Sequence, residues 1–130
     1  MSTEIKVPIS PGELIDKITI LEIKAANITD ASKLANVQVE LQLLQETWRT
    51  SAHANIDIDA EWQQLRHVNK KLWDIEDDIR DKERARQFDQ QFIELARAVY
   101  ISNDERAAVK KTINTKLGSK IVEEKSYAKY

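Results

Sequence analysis

The residues best suited to chemistry sit in the second half of the chain. Asn69, Trp73, Glu76, Arg80 and Glu83 step by four, three, four and three, so they share one side of a helix. Arg97, Tyr100, Asn103, Asp104 and Lys110 form a second polar stripe at helical spacing, with Arg106 beside it. If the two segments fold back as a tight hairpin about residues 84–89, Glu76 falls opposite Arg97, Trp73 opposite Tyr100 and Asn69 opposite Asp104. Arg97, Arg106 and Lys110 would then hold a phosphate or carboxylate, Arg through its planar fork of donors. Trp73 and Tyr100 would pack on a ring or sugar, and Glu76 or Asp77 would orient a guanidinium or bind a metal. This is a candidate ligand site for an anionic small molecule, such as a nucleotide or sugar nucleotide. The plainer alternative is an inter-helix layer of ion pairs that fixes register.

A magnesium-dependent nucleotide hydrolase is a further alternative. Helical enzymes of that kind hold the metal with acidic pairs three residues apart. Glu13/Asp16, Asp74/Asp77 and Asp78/Asp81 have that spacing. With 22 acidic residues in 130, such pairs arise by chance, so the spacing alone carries no weight. His53 and His67 are fourteen apart, one in a loop and one in a helix, which is no metal-ligand spacing. No Ser, His and acid grouping marks a nucleophile. Gly12 and Gly118 stand alone, so no glycine loop cradles a phosphate. The residues name no catalytic group, metal ligand or cofactor, and whether the chain is an enzyme stays open.

Composition narrows the partners. The net charge is −2, which argues against nucleic-acid binding through overall charge. The charge is uneven: residues 74–83 hold six acids and two bases, and residues 105–130 hold seven bases and three acids. The absence of cysteine removes disulfides, thiolate nucleophiles and Cys-based zinc sites. No apolar run reaches the ~18 residues of a membrane span. The start, Met1-Ser2-Thr3-Glu4-Ile5-Lys6, lacks the apolar core of a signal peptide, so the expectation is a cytoplasmic protein.

Four apolar seams must position these residues. Leu14, Ile18, Leu21, Ala25 and Ile28 form the first; Leu34, Val37, Leu41, Leu44 and Trp48 the second. Leu65, Val68, Leu72, Ile75 and Ile79 form the third. Phe88, Phe92, Leu95 and Val99 open the fourth, which resumes at Val109, Ile113 and Leu117. This heptad-like spacing keeps one side of each helix against a neighbour. The expectation is an all-α single domain over residues 1–130: an antiparallel bundle of four helices, about 11–28, 30–50, 59–84 and 89–117. Ser10-Pro11-Gly12-Glu13 reads as a helix start, with a capping box between Ser10 and Glu13 and proline at the first helical position. Thr29 or Asp30 would cap the second helix, Asp57 or Asp59 the third and Asp89 the fourth, with Phe88 and Ile93 as its hydrophobic staple. Gly118 is the expected stop. Ser102-Asn103-Asp104-Glu105 could break the fourth helix, but the seam runs through it in register and favours one helix. Residues 51–58 read as a loop. Residues 4–9 alternate like an edge strand and could pair with the tail after Ser119. Four seams either close on themselves or leave an apolar strip, around Trp48 and Trp62, so the leading expectation of function is association with a second copy or a protein partner, with the ligand site and the hydrolase as its alternatives.

Three segments resemble a known family. They are Val7-Pro8-Ile9-Ser10-Pro11-Gly12-Glu13-Leu14 through Lys24, then Leu72-Trp73-Asp74-Ile75-Glu76-Asp77-Asp78-Ile79-Arg80, and a third set. The third runs from Phe92-Ile93-Glu94-Leu95-Ala96-Arg97 through Asn103-Asp104-Glu105-Arg106-Ala107 to Glu123-Glu124-Lys125-Ser126-Tyr127. Together they are similar to a family of small bacterial helical proteins catalogued as a domain of unknown function, over nearly the whole chain. The resemblance implies a bacterial, cytoplasmic helical protein, and associates it with surface-glycan gene neighbourhoods. It implies no activity, substrate or site residue.

Overall fold

The computed structural model describes residues 3–130. Met1 and Ser2, part of the N-terminal segment read above, lie outside the described residues. Among the described residues the fold is all-α, with four helices: α1 (Pro11–Asn27), α2 (Ala31–Arg49), α3 (Asp59–Ala85) and α4 (Gln90–Lys116). Among the described residues no helix is long and apolar enough to cross a membrane.

Local chemistry sets the helix ends. Ser10 Oγ accepts from the Glu13 amide and Pro11 opens α1. Asp30 accepts from the Lys33 amide at the start of α2, and Asp89 from the Phe92 amide at the start of α4. Each side chain satisfies a backbone donor that has no partner within its helix. The expected cap of α3 by Asp57 or Asp59 does not form: Ile58 holds the N-cap position with no side-chain cap, and Asp57 only accepts from the Asp59 amide at 3.0 Å. Gly118 ends α4 with φ 66°, and the Ser119 amide reaches back to the Asn114 carbonyl. Two other expected caps act differently. The Glu13 carboxylate goes to Lys110 at 2.6 Å, on another helix. Phe88 packs edge-on against Phe92 at 5.2 Å, while Ile93 is exposed.

α1 is the central helix. Eight of its 17 residues are buried, because it packs against each of the other three helices. Its Leu14, Ile15 and Ile18 meet Ile58, Leu65, Ile113 and Leu117 in the core. Ile58 reaches this core from the segment read as an ordinary loop. α2 packs along α1, and α3 and α4 form an antiparallel hairpin. Trp48 and Trp62 do not make an exposed strip: both are half-buried against the core, edge to face at 6.0 Å. α4 is one continuous helix through Ser102, which is itself buried.

Among the described residues no strand forms, so the expected pairing of residues 4–9 with the tail is absent. Pro8 offers no N–H to a ladder. Side chains hold the tail to α4 instead: Glu123 pairs with Lys110 at 2.8 Å, and the Tyr130 ring packs on Tyr100 at 5.1 Å.

Candidate functional site

The site is built where α1 crosses the α3–α4 hairpin. Gly12, at the start of α1, donates to the Asn114 side chain of α4 at 2.7 Å. A Cβ on Gly12 would lie 2.5 Å from the Lys110 carbonyl oxygen, so only glycine permits this approach. The close contact carries Asp16, one turn further on, into the space between α3 and α4. Asp16 is 1% exposed. Its Oδ1 accepts from Arg106 Nε at 2.9 Å and from Asn69 Nδ2 at 2.9 Å; its Oδ2 accepts from the Arg106 guanidinium at 2.5 Å. Thr19 accepts from Asn69 at 2.9 Å and donates to the Asp16 carbonyl. Three helices are thus joined through one buried carboxylate.

This arrangement sets the charge states. The hydrogen bonds that Arg106 donates to Asp16 hold Arg106 above its ordinary range, against the opposing effect of burial. Burial is the largest single influence on Lys110 and pushes it down. The carboxylates of Glu123 and Glu13 together outweigh it, so Lys110 also lies above its ordinary range. Lys110 in turn holds Glu123 below the usual carboxylate range.

A cavity of about 420 Å³ opens beside the Asp16–Arg106 pair. Ile20 and Ile23 of α1 and Leu72 of α3 supply apolar wall, and Trp73 supplies an aromatic one. Asn103 and Arg106 supply donors, Asn69 lines the wall with its amide hydrogens given to Asp16 and Thr19, and Glu76, Asp77 and Arg80 sit on the α3 side. The volume falls within the range of small-molecule sites. Arg106 carries five N–H groups. Asp16 takes one from Nε and one from the terminal nitrogen; the others have no acceptor among the described residues.

Five expected site residues meet at this cavity: Trp73, Glu76, Arg80, Asn103 and Arg106. Lys110 lines an adjoining cavity of about 250 Å³ that shares Asn103 and Arg106 and is bordered by Glu123. Tyr100 and Asp104 lie apart, along a groove with the tail, where Asp104 accepts from the Tyr130 hydroxyl and pushes its pKa up. Arg97 is exposed and makes no ion pair among the described residues.

The facing pairs expected across the hairpin do not form. Glu76 pairs with Arg80 on its own helix, and Asn69 turns to Asp16 and Thr19. Lys71 faces Glu105 rather than Ser102, a displacement of about three residues, close to one helical turn. The cause is the turn. Arg86 takes a left-handed conformation at φ 53°, and the amides of Arg86 and Gln87 bond back to Glu83 and Lys82. This closes α3 later than the sequence suggests and moves the centre of the hairpin forward.

Of the acidic pairs, Asp74 and Asp81 pair with Lys70 and Arg84, Asp77 and Asp78 make no ion pair among the described residues, and Glu13/Asp16 is fully engaged. Glu13 binds Lys110, and Asp16 binds Arg106 and Asn69. Among the described residues no three acidic or histidine side chains converge as a metal-ligand set.

Sequence reasoning placed Asp16 only in an acidic pair with Glu13, and missed Thr19, Ile20 and Ile23. A signal was present: Gly12, Asp16, Thr19 and Ile23 step by four, three and four beside the main seam of α1. A second stripe with two small residues marks a helix packed on more than one side.

A family model matches residues 5–130, and its description is a family of unknown function, DUF6165. The chain belongs to the DUF6165 family. No curated protein and no solved structure matches it. For this DUF6165 chain, function is therefore argued from the site itself.

Proposed function

We propose that the chain binds a small molecule that carries a flat ring and an anionic group, in the cavity between α1, α3 and α4. One observation carries this reading: Arg106 is locked by a buried carboxylate while its remaining N–H groups stay unengaged at a cavity walled by Trp73. A guanidinium already fixed in place loses little freedom when it binds a carboxylate or phosphate. Trp73 offers a ring face, and Asn103 offers a further donor to a sugar or heterocycle. Nucleotides and sugar nucleotides have this chemistry.

The test is a thermal-shift panel of nucleoside diphosphates, sugar nucleotides and aromatic carboxylates, with Trp73→Ala alongside. Trp73 is half-buried and lies outside the core cluster, and circular dichroism of the variant checks that it folds. A compound at 100 times its dissociation constant raises stability by about 2.7 kcal/mol. The reading expects at least one such shift, lost in Trp73→Ala. A panel without any shift, or shifts unchanged in Trp73→Ala, overturns it.

A further inference from the structure

Beyond α1, the hairpin of α3 and α4 continues as a two-helix arm. No residue between Ile75 and Ser102 is buried. A helix draws most of its stability from burying an apolar face. In the arm only the inner seam approaches this, with Ile79, Phe92, Leu95 and Val99 half-buried. Ile93 and Tyr100 remain 48% and 42% exposed on the outer side of α4.

That outer side has its own order. Ile93, Arg97, Tyr100 and Asp104 step by four, three and four, which is the spacing of a helix seam, and none of them belongs to the seam that meets α3. Arg97 makes no ion pair among the described residues. The stripe is self-complementary in charge, with a cation at Arg97 and an anion two turns on at Asp104. Two copies laid parallel would set Arg97 against Arg97. Two copies laid antiparallel about a two-fold axis set Arg97 of each within a turn of Tyr100 and Asp104 of the other, twice over. Tyr130 of the tail packs on Tyr100 at 5.1 Å and its hydroxyl donates to Asp104, so the tail lies on one end of the stripe and a second copy shares Asp104 with it; Tyr100 still keeps 42% exposure.

We propose that a second copy of this chain covers this stripe, α4 against α4, antiparallel. The stripe is roughly 18 Å long. Its contact area falls short of the about 800 Å² per partner of a standard interface, so the dimer is a weak one. Salt weakens it.

Sedimentation equilibrium on the full chain, from about 1 to about 500 µM, tests this. The expected result is a mass that rises toward that of a dimer with concentration. Arg97→Glu sets like charges together at both ends of the axis and should weaken association at least tenfold. Adding Asp104→Arg to Arg97→Glu exchanges the two charges and should restore it, a rescue that misfolding cannot produce. A monomer at the highest concentration overturns the proposal, as does association indifferent to Arg97→Glu. Failure of the exchange to restore association also overturns it.

Discussion

Removing Arg106 should cost far more than removing a surface ion pair. Asp16 is 1% exposed and receives both of its charge-assisted hydrogen bonds from Arg106. In Arg106→Ala the carboxylate keeps Asn69 as its hydrogen-bond donor, with Lys110 at 4.0 Å. An uncompensated buried charge of this kind costs about 3–5 kcal/mol. The same pair at the surface would be worth about 0–1 kcal/mol. Asp16→Ala should cost less than Arg106→Ala, because the Arg106 side chain is 30% exposed and can turn to water. Replacing both, as Asp16→Leu with Arg106→Met, should cost less than Arg106→Ala alone, since neither charge is then left buried. Urea unfolding followed by tryptophan fluorescence reads all three variants. If Arg106→Ala loses under about 1 kcal/mol, or if the double variant loses as much as Arg106→Ala or more, Asp16 does not depend on Arg106 and the reasoning fails.

Further outcomes follow from the same geometry. Gly12→Ala should lose about 1–3 kcal/mol in the same unfolding assay, because its Cβ meets the Lys110 carbonyl at 2.5 Å and backbone must move. Gly118→Ala should lose about 1–2 kcal/mol from backbone strain alone, since φ is 66° and nothing lies within 4 Å of the added carbon. The tail should release in acid. Lys110 depresses the Glu123 pKa, so that contact contributes fully above the ordinary carboxylate value of 4.5 and is lost as pH falls through the lower folded value. In NMR the Glu123 carboxyl should titrate below its ordinary value in the native chain. It should return toward that value in Lys110→Met; no difference between the two would dismiss the contact.

Much of the fold was legible because it rests on local signals. Ser10, Asp30 and Asp89 mark helix starts through bonds spanning only three residues, and Gly118 marks a stop through its own backbone freedom. The apolar seams repeat along each helix, so they too can be read in place. The site was legible only in part. Trp73, Glu76, Arg80, Asn103 and Arg106 share a cavity, as helical spacing allows. Their true partners could not be read, because Asp16 lies 53 residues from Asn69 and 90 from Arg106. The register across the hairpin was missed for a different reason. The left-handed residue that sets it is Arg86, where no glycine advertises the turn. Arg97 is exposed for a separate reason: it lies two residues from both Leu95 and Val99, on the side of α4 turned away from the seam.

The central claim, a ligand held between Trp73 and Arg106, is tested most directly by NMR titration with uridine and adenosine diphosphates and benzoate. The three tryptophan indole signals and the Arg106 Nε–H signal are followed together. The account predicts saturable shifts at Trp73 and Arg106 with at least one of these compounds, while the Trp48 and Trp62 signals, packed edge to face against the core, stay in place. Signals that remain still throughout, or that move at Trp48 and Trp62 instead, would contradict it.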